Sequence, residues 1–257
     1  MDLGHILLLI LAGVVAGGIN ALAGGGSLVT FPSLIATGLP SIEANVTNSV
    51  SVFPGYLSSA LGSRADLAGQ WRRIPAVLPA CVAGTVAGCA LLLRTPARTF
   101  EVVVPFLVLG AAAMLFFQDR LRGLVGHPRA FGPRRRAVAL QLVVFAGAVY
   151  GGYFGAALGV MYVAVLALVL DETFHRINAL KNVLTVSVGA VTLVAFALFG
   201  PVNWSAVLVL APATVVGGYA GATLARRLPS RFLKGLIVTF GAAIGLVLLI
   251  RAREVTR

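Results

Sequence analysis

The chain has 257 residues, of which 59% are hydrophobic and only 11% charged, with a formal net charge of +12. An average soluble domain carries about a quarter charged residues, and a water-soluble fold of this size would lack the polar surface to cover itself, which excludes an ordinary soluble globular protein. The positive excess does not point to nucleic acid either, because the basic residues fall in short clusters between apolar runs, such as Arg72-Arg73, Arg134-Arg135-Arg136 and Arg226-Arg227, where loops meet anionic headgroups or cytoplasm.

About 20 apolar residues at 1.5 Å rise cross a hydrocarbon core of about 30 Å. The first such run predicts a helix over 3–22. Ala21-Leu22-Ala23 resembles a signal-peptidase site, but no basic segment precedes the run, the run is long for a signal, and further spans follow, so a retained first helix is expected. Gly24-Gly25-Gly26 then breaks the chain ahead of a short apolar piece over 27–37, and Gly38-Leu39-Pro40 breaks it again. That piece is too brief to cross alone and reads as a discontinuous or re-entrant helix. Helices follow over 41–62, 74–93 and 99–118, then a basic connection, then 137–157, a second short piece over 159–170, and 176–199, 203–225 and 232–250. Counting each short piece with its neighbour gives about eight transmembrane helices in an all-α polytopic membrane protein. Cys81 and Cys89, eight apart on one apolar stretch, read as core residues rather than a disulfide or metal pair.

The connection from Gln118 to Arg136 divides the chain into a first transmembrane repeat (1–118), a basic connecting loop (119–136) and a second repeat (137–257). At an offset of 134, Gly17, Gly25, Asn48 and Gly55 fall on Gly151, Gly159, Asn182 and Gly189; at 133, Pro79, Gly84 and Gly88 fall on Pro212, Gly217 and Gly221, and Arg94 on Arg227. Matched Gly, Pro and Asn are rarer by chance than matched apolar letters, so two homologous repeats are expected. Their relative orientation stays open. Four spans per half would make them parallel, whereas the basic 63–73 connection against the uncharged 200–203 is the contrast that inversion produces.

Two groups of residues could carry chemistry. Gly24, Gly25, Gly26 and Ser27 form a turn leading into a helix whose N–H groups and positive dipole end favour an anion, with Ser27 as cap; the alternative is a close helix contact that needs small residues. The second group is polar density inside apolar helices: Glu43, Asn45, Thr47, Asn48, Ser49 and Ser51 in the first half, and Asn178, Lys181, Asn182 and Thr185 in the second. The latter four follow an i, i+3, i+4, i+7 spacing and share one helical face, which in hydrocarbon must turn inward. Lys181 is one of two lysines, beside Lys234, among 20 basic residues. It either meets an anionic or carbonyl partner at depth or snorkels to the interface from two turns inside its helix. Glu43 is either a first-turn acid favoured by the helix dipole, or a proton-coupling carboxylate or partner for Lys181. His5, His127 and His175 fall at ends and loops without metal spacing, so no metal, cofactor or catalytic site is expected.

Gly13-Val-Val-Ala-Gly17 with Ala23-Gly-Gly-Gly-Ser-Leu-Val-Thr-Phe-Pro32, the stretch Ala44-Asn-Val-Thr-Asn-Ser49, and Arg176-Ile-Asn-Ala-Leu-Lys-Asn-Val-Leu184 together resemble the TauE/SafE sulfite and organosulfonate exporters, also called toluene sulfonate uptake permeases. The resemblance covers essentially the whole chain. It implies a duplicated bacterial inner-membrane protein of about eight helices that moves small anions such as sulfite or sulfoacetate. One departure is that Leu158-Gly159-Val160-Met161 stands where the second repeat of such proteins often carries its own glycine cluster, which makes the first-half turn the better anion site.

The expectation is therefore a secondary transporter, with no enzymatic activity, that binds a small anion between two repeats. Its site would use Gly24 to Ser27, Thr47, Asn48, Asn178, Asn182, Thr185 and the charge of Lys181, with Glu43 as a coupling group, and the repeats would rock to give alternating access. No nucleotide motif is present. The partners expected are the anion and the lipid bilayer, with homo-oligomers an open alternative. A passive channel is the main rival, and a membrane enzyme or assembly factor a weaker one.

Overall fold

The computed structural model describes residues 2–22, 24–62, 67, 69, 70, 73–124, 132–224 and 239. Among them are nine helices and no strand: α1 (Leu3–Leu22), α2 (Ser27–Ala36), α3 (Ser41–Gly62), α4 (Arg73–Arg94), α5 (Ala97–Leu124), α6 (Pro133–Tyr153), α7 (Leu158–Val169), α8 (Phe174–Phe199) and α9 (Trp204–Leu224). The helix expected over 232–250, with Lys234, lies outside the described residues apart from position 239. The long helices α1, α4, α6 and α8 each hold an uninterrupted apolar stretch sufficient to cross a bilayer. The polytopic all-helical class expected from composition holds.

Boundaries differ from expectation in two places. α5 runs on to Leu124 and α6 begins at Pro133, so part of the expected basic loop is helical; Pro133 suits the first position of a helix, where its missing N–H costs nothing. α6 stops at Tyr153 rather than 157 because the chain turns left-handed at Gly155 (φ +72°) and Ala157 (φ +55°).

Small residues decide the packing. α1 lies against α9 along Gly13 and Gly17, and α4 lies against α6 along Gly84 and Gly88. A Cβ on Gly17 would stand 2.2 Å from the Thr214 carbonyl oxygen, and one on Gly88 would stand 2.2 Å from that of Val149. Such backbone approach replaces the hydrophobic drive that lipid cannot supply between helices. Leu7, Leu11, Phe106, Leu142, Leu198 and Leu208 face outward, as side chains in contact with acyl chains do.

Helix directions follow from who meets whom. In α3 and α8, Val46 lies by Gly200, Phe53 and Tyr56 by Gly189, and Gly69 beyond the α3 end by Arg176, so the two run antiparallel. α9 runs parallel to α1, with Gly13 at Ala213 and Gly17 at Gly218. It also runs parallel to α3, with Thr47 at Asn203 and Ser51 at Thr214. α4 runs parallel to α6 and to α8. Thus α1, α3 and α9 point one way and α4, α6 and α8 the other. The two halves share an order of long, short, long, long helix, and the second runs in the opposite sense to the first. Sequence alone left this orientation open, because it turns on whether α2 and α7 return across the layer.

Candidate functional site

The first break is built on α1. Gly24 adopts φ +81°, which a side chain rarely tolerates. The buried Asn20, in the last turns of α1, accepts the Gly26 N–H at Oδ1 over 2.8 Å and holds the turn against its own helix. A Cβ on Gly26 would strike the Ala16 carbonyl oxygen at 2.3 Å. Ser27 does not cap α2 as expected: Gly26 occupies the N-cap position with no side-chain bond, and Ser27 is the first helical residue. The N–H groups of Leu28, Val29 and Thr30 already donate to the Gly25 and Gly26 carbonyls. The anion nest read from the glycines is therefore partly satisfied by the turn itself, and the Ser27 side chain turns to the cavity instead.

The second break has the same plan with different letters. Gly155 supplies the positive φ, and the Tyr150 hydroxyl donates to the Ala156 carbonyl over 2.6 Å, spanning six residues as the Asn20 contact does. The triple glycine is thus unnecessary there, which accounts for the departure noted at Leu158 to Met161. The first break touches the first turn of α7: a Cβ on Gly24 would lie 2.8 Å from the Gly159 Cα, and one on Gly159 would lie 2.9 Å from the Gly24 Cα and 3.2 Å from Lys181 Cδ. Gly24→Ala combines a left-handed Cβ, costing about 1–2 kcal/mol, with a backbone collision. It is expected to lower thermal stability in detergent clearly more than Gly110→Ala, whose Cβ meets nothing within 4 Å.

Beside this junction lies a cavity of about 280 Å³ of atom-free space, part of it open to solvent. Its polar lining is Ser27, Asn48, Ser49, Tyr56 and Thr192; Val52, Phe154, Leu158 and Val188 supply apolar wall. Ser27 and Tyr56 approach each other across it. The Thr30 hydroxyl donates to Asn48 Oδ1, tying α2 to α3.

The expected site residues divide into three sets. Ser27 and Asn48 line the cavity. Lys181 (4% exposed), Asn182 and Thr185 are buried in α8, with the Lys181 stem against the junction of the breaks, and Thr185 donates to the Asn182 carbonyl over 3.0 Å. Lys181 is thus enclosed by protein rather than extended at the surface. Asn178 is half-buried one turn earlier. Thr47 and Glu43 point elsewhere: Thr47 Oγ1 accepts the Asn203 N–H over 2.9 Å, and Glu43 Oε1 accepts from Asn203 Nδ2 over 3.1 Å. Sequence reasoning missed Asn20, Tyr56, Thr192 and Gly155. A polar residue at the end of an apolar helix just before a glycine turn was the signal available for Asn20.

Charged and polar clasps join distant parts of the chain at two opposite ends of the bundle. Glu43, Thr47 and Asn203 form one. In the other, Glu172 pairs with Arg73 (3.1 Å) and Arg176 (3.0 Å) while Gln70 Nε2 donates to the Arg176 carbonyl over 3.0 Å. Among the described residues no cluster of His, Cys, Asp or Glu could hold a metal ion, and Cys81 and Cys89 are separate buried thiols.

Apolar helices interrupted by two short pieces, with a polar cavity beside them, make a polytopic helical membrane protein of the kind that transporters are built on. The sulfite exporter TauE/SafE family matches residues 9–248, and the chain belongs to that family. It is similar to a probable membrane transporter protein of Haemophilus influenzae, 27% identical over 93% of this chain and 92% of the relative. The probable membrane transporter protein ORF9 of Sinorhizobium sp is 26% identical over 95% and 93%, and the probable membrane transporter protein YfcA of Escherichia coli K12 is 24% identical over 92% and 86%. No solved structure matches the chain. These relationships indicate a membrane transporter rather than an enzyme, in a bacterial inner membrane.

Proposed function

We propose that the chain is a secondary exporter of small anions of the sulfite or organosulfonate kind, working by alternating access between two inverted copies of one unit. The observation that carries this reading is the junction at Gly24 and Gly159, where the first helix break meets the start of α7 with the Lys181 stem packed on Gly159. An oxyanion accommodated there would gain the Lys181 charge and donors from Ser27, Asn48, Ser49, Tyr56 and Thr192, in a low-dielectric setting where such groups act strongly. Inverted halves whose equivalent helices α3 and α8 cross at the cavity are the arrangement in which rocking exposes one site to either side in turn. The duplication is supported by the paired breaks and by the mirrored packing of α1 on α9 and α4 on α6.

Side-chain clasps at opposite ends, Glu43 with Asn203 at one and Arg73 with Glu172 at the other, support a gated carrier over a passive pore. The test is flux in proteoliposomes loaded with sulfite or sulfoacetate. Saturable uptake with counterflow is expected; flux that rises linearly with concentration and shows no counterflow would replace the carrier with a channel.

A further inference from the structure

α4, α6 and α8 begin, and α5 ends, at one face of the molecule. Among the described residues, that face carries Arg73, Arg120, Arg134, Arg135, Arg136 and Arg176, against Arg94 and Arg98 at the other. By the positive-inside rule, this asymmetry of the described arginines argues for the arginine-rich face in the cytoplasm and the start of α1 outside. Lys181 then lies between the cavity and the cytoplasm, and the Arg73, Glu172 and Arg176 clasp stands outside it on the same path.

This clasp has an uneven charge count. Glu172, only 17% exposed, accepts from Arg73 Nη1 and from Arg176 Nη1 through its two different oxygens. Arg136 Nε donates to the Val169 carbonyl at the same end, so three guanidiniums stand there with the two carboxylates of Asp171 and Glu172. Gln70, 2% exposed, holds both arginines in place, accepting from Arg73 Nη1 over 3.4 Å and donating to the Arg176 carbonyl. We propose that this clasp is a second anion site, at the cytoplasmic mouth, in which an incoming oxyanion takes over the two guanidiniums from the Glu172 carboxylate. The guanidinium forks match any planar or pyramidal oxyanion with paired oxygens, as they match the carboxylate they now hold. Because Arg73 belongs to the first half and Glu172 and Arg176 to the second, the exchange would also release the seam between the halves and pass the anion toward Lys181. This site rests on the anion-transport reading above, but its failure shows up separately.

The test uses sulfite as probe and membrane vesicles of both orientations. Arg73→Gln and Arg176→Gln should each raise the KM for sulfite offered at the cytoplasmic face by about fivefold, and leave the KM at the other face within about twofold. Glu172→Gln should lower the cytoplasmic KM, since it removes the competing carboxylate. Arg176→Gln combined with Glu172→Gln removes a pair together, so it serves where a single variant folds poorly; it should still raise the cytoplasmic KM. A KM that moves equally at both faces, or one that Glu172→Gln raises as the arginine variants do, would overturn the mouth site and leave the clasp as a latch only. Sulfite flux that survives in Lys181→Met would instead overturn the central site, whatever the arginines do.

Discussion

Lys181→Met is expected to reduce anion flux by about tenfold or more, equivalent to at least about 1.4 kcal/mol of lost interaction, while the protein still folds. Methionine keeps an unbranched stem of similar length, so the packing against Gly159 survives. Burying an ammonium costs free energy that only specific surroundings return. A lysine kept for packing alone would therefore be replaced by methionine with unchanged flux and equal or greater stability. A lysine kept for the anion would show the same stability and little flux. Measuring melting temperature and sulfite flux on one preparation separates the two, and unchanged flux would remove Lys181 from the pathway. Lys181→Arg should rescue poorly, because the guanidinium is bulkier and the Gly24 and Gly159 backbones already touch beside the stem.

Much of this architecture could be read from the residues because the bilayer leaves few alternatives. Backbone polar groups in hydrocarbon must be satisfied within helices, so apolar runs and Gly or Pro breaks gave α1 to α4 and α7 to α9 almost to the residue. The second break was placed too late. The expected helices over 137–157 and 159–170 leave only position 158 between them, whereas the turn is made at Gly155 and Ala157 and held by a tyrosine hydroxyl. An ungapped offset of 134 likewise paired Asn48 with Asn182. The starts of α3 and α8 are 133 apart, which sets Asn48 opposite Lys181 and Asn45 opposite Asn178. The difference between the two helices at this level, an amide in α3 and an ammonium in α8, emerges only in that register.

The site was less legible for a reason that lies in tertiary packing. Thr47 and Asn48 are adjacent letters of similar chemistry, yet successive helical residues point about 100° apart. Asn48 faces the cavity, while Thr47 faces Asn203 at the seam. Glu43 is drawn to the same Asn203, whose Oδ1 in turn accepts the Ala206 N–H at the start of α9. Its position at a helix start was visible in the sequence; its partner, 160 residues away, was not.

Gly17→Val is expected to have the largest structural effect of any substitution considered, a loss on the order of 3 kcal/mol or more, seen as a fall in melting temperature and in monodisperse yield. The Cβ alone would stand 2.2 Å from the Thr214 carbonyl oxygen and 2.6 Å from the Gly218 nitrogen. Neither backbone atom can swing aside like a side-chain tip, so α1 and α9 must part along their contact. Parting them withdraws close packing in the medium where packing is the chief attraction between helices. Gly217→Val attacks the same seam from α9, where a Cβ would lie 2.0 Å from the Val14 carbonyl oxygen, and should match it. Gly88→Val should do the same at the mirrored α4 and α6 seam. Gly110→Val on α5, where a Cβ meets nothing within 4 Å, is the control. Comparable melting temperatures for Gly17→Val and Gly110→Val would show that α1 and α9 do not pack through their glycines, and with that the inverted arrangement of the halves would lose its clearest physical support.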